Sequence, residues 1–162
     1  MIRIVGLLVL FAAPAALSQT SVPVEGDRAD LGRFVGEWVG SYESTETGRQ
    51  GTIVFRLVAG DDSARAVVLM VPRGTEANLL PKPVPLAVHR IEITGRLLRG
   101  LLARYDDPEW ELPLETSFSG ALGDDGRLEG VFRATGTRID TVPQDGRWWA
   151  TKTSDRHARQ TP

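Results

Sequence analysis

Leu114-Glu115-Thr116-Ser117-Phe118-Ser119-Gly120-Ala121-Leu122, Gly123-Asp124-Asp125-Gly126 and Arg127-Leu128-Glu129-Gly130-Val131-Phe132-Arg133-Ala134-Thr135 follow one another without interruption. Thr116, Phe118 and Gly120 alternate with Glu115, Ser117 and Ser119, the period of two that marks a half-buried strand. Leu128, Gly130, Phe132 and Ala134 repeat the pattern after the turn. A Gly-Asp-Asp-Gly link between two such runs specifies an antiparallel hairpin.

Working outward, six further strands follow, alternating in the same way except for Ala64–Val71, which is apolar on both faces. Upstream lie Phe34–Ser44, Gly51–Ala59, Ala64–Val71, Leu86–Thr94 and Leu97–Tyr105, and downstream lies Gly146–Thr153. In the first, Gly36, Trp38, Gly40 and Tyr42 share one face; in the second, Ile53, Phe55 and Leu57 point inward. No helix-length segment exists to cover an open sheet. The expected fold is all-β, an eight-stranded antiparallel up-and-down barrel, with a two-sheet sandwich as the alternative.

The connections are unequal. Thr45–Gln50, Pro72–Pro85, Asp106–Pro113 and Gly136–Asp145 are long, whereas Gly60–Ser63, Gly95-Arg96 and Gly123–Gly126 are tight turns. In an up-and-down meander alternate connections share an end, so the long ones form a mouth and the short ones a closed floor. Leu79, Leu80 and Trp110 then fall on the apolar rim, with Tyr42 and Met70 on the wall below.

The chain begins with basic Met1-Ile2-Arg3, then an apolar run from Ile4 to Ala13 broken only by Gly6. Pro14 ends it, and Ala16 and Ser18 stand at −3 and −1 of a cleavage site before Gln19. The run falls short of the roughly 20 residues that span a bilayer. Residues 1–18 therefore read as a signal peptide, 19–33 as a flexible leader, 34–153 as the barrel and 154–162 as a disordered tail. The expected location is secreted or periplasmic, with no membrane span.

Cysteine is absent, which removes disulfides and thiolate chemistry, so the core alone must hold the domain. Without Arg3, 18 of the 19 basic residues remain against 21 acidic ones. No basic cluster points to nucleic acid. Arginine outnumbers lysine 17 to 2, but the arginines are spread evenly.

Gly36-Glu37-Trp38, preceded by an apolar turn at Leu31 and Phe34, resembles the Gly-x-Trp motif of lipocalins and the wider calycin superfamily. The resemblance implies a ligand-binding barrel in which an arginine near the end of the last strand packs across the tryptophan. Arg147, before Trp148-Trp149, is the candidate for that arginine. The longer Gly36-Glu37-Trp38-Val39-Gly40 is also similar to the opening strand of nitrobindin-like haem barrels, which implies an iron-binding histidine. Disulfides and a C-terminal helix, both usual in lipocalins, are missing here.

His89 has the strand parity of Ile91 and Ile93 and is the candidate haem ligand. His157 lies in the polar tail. Asp106, Asp107, Glu109 and Glu111 crowd one loop, without the spacing and turn glycine of an EF-hand, and read as a solvated tip. No serine sits in a Gly-x-Ser-x-Gly elbow. Trp148 and Trp149 are adjacent in a strand, so one faces in and the other out. These readings name no catalytic residue and no metal site other than the haem-ligand candidate His89, and make the chain more a binder than an enzyme. The expectation is an exported barrel that binds a small, largely apolar molecule. The alternatives are a haem-binding nitrobindin-like domain, or an accessory module that binds a protein or cell-surface partner. Ligand identity and oligomeric state stay open.

Exported material is expected to begin at Gln19. N-terminal sequencing that returns Met1 from secreted protein would overturn the cleavage reading.

Overall fold

Period-two alternation obliges each strand to bury one face, and in the computed structural model eight strands do so against one another. Residues 21–22, 24–59, 64–73, 83–107, 112–136 and 143–153 are described. In chain order the elements are β1 (Ser21–Val22), β2 (Val24–Glu25), α1 (Arg28–Phe34), β3 (Gly36–Ser44), β4 (Gln50–Ala59), β5 (Ala64–Pro72) and β6 (Val84–Thr94). They continue with β7 (Leu97–Leu102), β8 (Tyr105–Asp106), β9 (Pro113–Leu122), β10 (Arg127–Gly136) and β11 (Gln144–Lys152). The hairpin read from sequence is β9–β10, in register from Leu122 opposite Leu128 to Leu114 opposite Gly136.

Strands β3, β4, β5, β6, β7, β9, β10 and β11 pair antiparallel in that order, and β11 returns to pair with β3. The circuit is closed, so the architecture is the barrel and not the sandwich. Closure is thinnest between β5 and β6, where only Val67–Met70 face Val84–Ala87. Towards the floor these strands diverge and would leave unpaired backbone groups. There β1 pairs with β5 at Ala64 and Arg65, while β2 runs parallel to β6 at Ile91 and Glu92.

The stretch expected to be a flexible leader therefore carries strand pairing at Ser21–Val22 and Val24–Glu25, followed by α1. Each of these strands is two residues long, too short for alternation to register. Asp27 caps α1 by accepting from the Ala29 amide at 3.2 Å. The Asp30 carboxylate accepts from the Gly95 amide at 2.6 Å and ties the helix to the β6–β7 turn. Phe34, the last helical residue, is fully buried.

Trp38 sits beneath the helix, and its Nε1 donates to the Phe34 carbonyl at 2.8 Å. Leu57, Ile91, Ile93, Leu98 and Leu128 are likewise almost wholly enclosed and lie towards the tight-turn end of their strands. One half of the barrel is thus filled solid.

Two residue assignments change. Arg147 is exposed and stands opposite Glu43, whereas the residue opposite Trp38 is Lys152. The Lys152 ammonium lies 5.6 Å from the centre of the Trp38 ring. Its stem crosses Gly36, where an added Cβ would stand 2.6 Å from Lys152 Cε, and Gly36 has φ +126°. Gly36 is needed because other residues rarely adopt that φ, and a side chain there would also push the lysine stem aside.

His89 is exposed, not inward. A register shift between Val88 and Arg90 lets Val88 and Ile91 both face the core with two residues between them. Such a bulge reverses parity on one side of it, so His89 loses the face it would share with Ile91.

Trp38→Ala is expected to destabilise the fold by about 3–5 kcal/mol, the range for deleting a large buried aromatic. Arg147→Ala should stay within about 0.5 kcal/mol, as an exposed site away from the floor. Denaturant midpoints check both; an Arg147 loss as large as that of Trp38 would place the arginine on the floor.

Candidate functional site

Above the packed floor the inward positions alternate between aromatic rings and glycines. Tyr42 stands opposite Gly51, Phe118 opposite Gly100 and Phe132 opposite Gly146. In each pair the ring occupies the space where the glycine would carry a Cβ; at Gly51 that position is 2.6 Å from Tyr42 Cε1. The rings therefore lie across the neighbouring strand and leave the barrel axis open. Tyr42 meets Phe132 edge-on at 6.3 Å, and Phe118 meets Trp148 edge-on at 6.4 Å. The Trp148 Nε1 donates to the carbonyls of Ser119 and Val131, both at 3.2 Å, which locks the indole against the wall. Trp148 is the inward member of the tryptophan pair; Trp149 is partly exposed beneath the Arg127 guanidinium, 5.8 Å away.

The space left by this arrangement is a cavity of about 90 Å³, counted as room for the centre of a water molecule. That exceeds the roughly 10–15 Å³ a single water needs on the same measure. Ile53, Phe55, Val68, Met70, Leu86 and Leu102 form its apolar sides. Tyr42 and Met70, expected on the wall, both line it. Leu79, Leu80, Trp110, Glu109, Glu111 and His157 lie outside the described residues.

The mouth end is polar. Arg49, from the β3–β4 turn, donates from Nη1 and Nη2 to the two carboxylate oxygens of Asp107 at 2.6 and 3.0 Å. Asp107 follows β8 and is 3% exposed, and its amide donates to the Leu112 carbonyl at 2.8 Å. Asp107 thus differs from the solvated position expected of it, since its carboxylate is buried against a guanidinium, while Asp106 is exposed. Gln144, at the start of β11, presents Oε1 to Arg49 Nη1 at 3.5 Å and is 6% exposed. Tyr105 and Thr116 share a hydroxyl–hydroxyl hydrogen bond of 3.0 Å. Burial pushes the Tyr105 phenol above its usual range and the Asp107 charge adds to this, against the Thr116 hydrogen bond and the Arg49 charge.

Arg49 and Gln144 were not singled out in the sequence, and Asp107 was read only as one of the carboxylates of a solvated loop tip. Gln144 shares the parity of Gly146 and Trp148, a signal missed because the last strand starts two residues earlier than read. Nothing local marks Arg49 and Asp107 as partners. The described lining contains no histidine, cysteine or lysine, and its carboxylate is held by the arginine. No group of three or more histidine, cysteine, aspartate or glutamate residues among the described residues is disposed to hold a metal ion. No helix among them is long and apolar enough to cross a membrane. What the lining can do is enclose an apolar body and offer hydrogen bonds at one end.

Asp107→Ala is expected to cost about 3–5 kcal/mol, because two buried guanidinium hydrogen bonds lose their acceptor. The double replacement Arg49→Met with Asp107→Leu should recover most of that loss. Urea unfolding reads both; a single-variant cost within the range of about 0–1 kcal/mol typical of exposed pairs would show that the pair is solvated.

No family model matches this chain, and neither a curated protein nor a solved structure matches it.

Proposed function

We propose that this chain is an exported calycin-like barrel that binds a small, largely apolar molecule in its hollow half and performs no chemistry on it. The observation carrying this reading is the division of the interior: side chains fill the floor half, while aromatic rings laid over glycines keep the mouth half open. A protein selected only for a stable core gains by filling such a space, since voids forfeit packing. Pockets for small molecules share this composition, apolar walls with a few converging polar groups. The calycin likeness supports the reading in expecting a tryptophan at the closed end of the first long strand, where Trp38 lies, although the cation over it is Lys152 and not the arginine the resemblance implies. Export rests on residues 1–18.

N-phenyl-1-naphthylamine is expected to bind the mature protein saturably and to quench tryptophan emission. Ala134→Phe, which puts a ring into the cavity from β10, should weaken that binding about tenfold or more, equivalent to about 1.4 kcal/mol, with an unchanged circular dichroism spectrum. Absence of saturable binding across this probe, fatty acids and haem would sink the carrier reading.

A further inference from the structure

The polar end of the cavity has a definite hydrogen-bonding inventory. Arg49 and Asp107 are the charged residues of the described lining, and they neutralise one another in a two-point ion pair. The Gln144 amide is oriented by its neighbour: Oε1 faces the Arg49 guanidinium, a donor, so Nε2 carries its hydrogens elsewhere. That Nε2 is buried and has no hydrogen-bond partner among the described residues. A buried donor left unmade is costly, and a ligand acceptor would remove the cost.

We infer that the ligand of this cavity carries a neutral hydrogen-bond acceptor, a carbonyl above all, that accepts from Gln144 Nε2 while its apolar body fills the space towards Phe118 and Phe132. This rests on the small-molecule reading above and narrows it to a ligand class. A carboxylate is disfavoured for two reasons. It would lose its hydration on entry, and the guanidinium that could compensate already holds Asp107, whose charge repels a second anion. A pure hydrocarbon would leave Nε2 unsatisfied.

Calorimetric titration at neutral pH with acetophenone, ethylbenzene and benzoate varies the head group on one ring. Acetophenone is expected to bind the mature protein about tenfold tighter than either of the others, the worth of one satisfied buried hydrogen bond. Gln144→Met, which keeps the side-chain volume, should bring acetophenone to the affinity of ethylbenzene and leave ethylbenzene within about twofold of wild type. The wild-type ranking tests the inference even where a variant fails to fold. Benzoate binding tightest, or acetophenone and ethylbenzene binding equally to wild type, would overturn the neutral-acceptor assignment and leave the carrier reading standing. Failure of all three to bind while N-phenyl-1-naphthylamine binds would overturn this inference and leave the carrier reading standing; failure of that probe as well would remove both.

Discussion

Trp38 is held from two sides. Its indole N–H is spent on the Phe34 carbonyl at the end of α1, and the Lys152 ammonium covers its face from the far end of the last strand. A tryptophan buried this deeply needs a partner for its one donor, and the helix end supplies it. The contact joins the first and last long strands of the barrel to the segment that precedes them. It sets the level of the floor, and Leu57, Ile93, Leu98 and Leu128 pack on that level. The N-terminal strands add to the same end by pairing with β5 and β6 where those two separate.

Eight strands give an interior just wide enough for side chains to fill or for one small molecule to occupy. The size and direction of the inward residues then decide between the two. Near the floor the inward residues are branched aliphatics and Trp38, and they meet across the axis. Higher up, rings of ordinary size lie sideways because the adjoining strand offers a glycine in register. The cavity is therefore a consequence of cross-strand pairing as much as of residue volume. Mutual edge-on contacts and the Trp148 hydrogen bonds hold the rings to the wall, and the open volume does not collapse.

The mouth carries a costly device, a largely buried ion pair. Burying a guanidinium and a carboxylate together removes hydration from both, and their attraction seldom exceeds that loss by much. An apolar plug of the same size would be at least as stable. The pair instead links the turn after β3 to the segment after β8 and gives the cavity a polar end without net charge. With Gln144 beside it and the Tyr105–Thr116 hydroxyl pair near it, that end offers hydrogen-bonding groups, while the walls are apolar.

Sequence by itself determined the hairpin at Gly123–Gly126, the eight strands of the barrel, the all-β class and the inward placing of Trp38, Tyr42 and Met70. These are local properties: a period of two is visible within a few residues, and a turn glycine announces itself. Tertiary structure decided what depends on register between distant segments. The bulge after Val88 turned His89 outward, and the pairing of β11 with β3 put Lys152, not Arg147, over Trp38. The leader strands at Ser21–Val22 and Val24–Glu25 exist because β5 and β6 diverge, a fact of barrel geometry. Arg49 and Asp107 are 58 positions apart, and Arg49 and Gln144 are 95 apart. A charged residue in a loop has no periodic signature, so its partner is chosen only when the closed barrel brings the ends of its strands together.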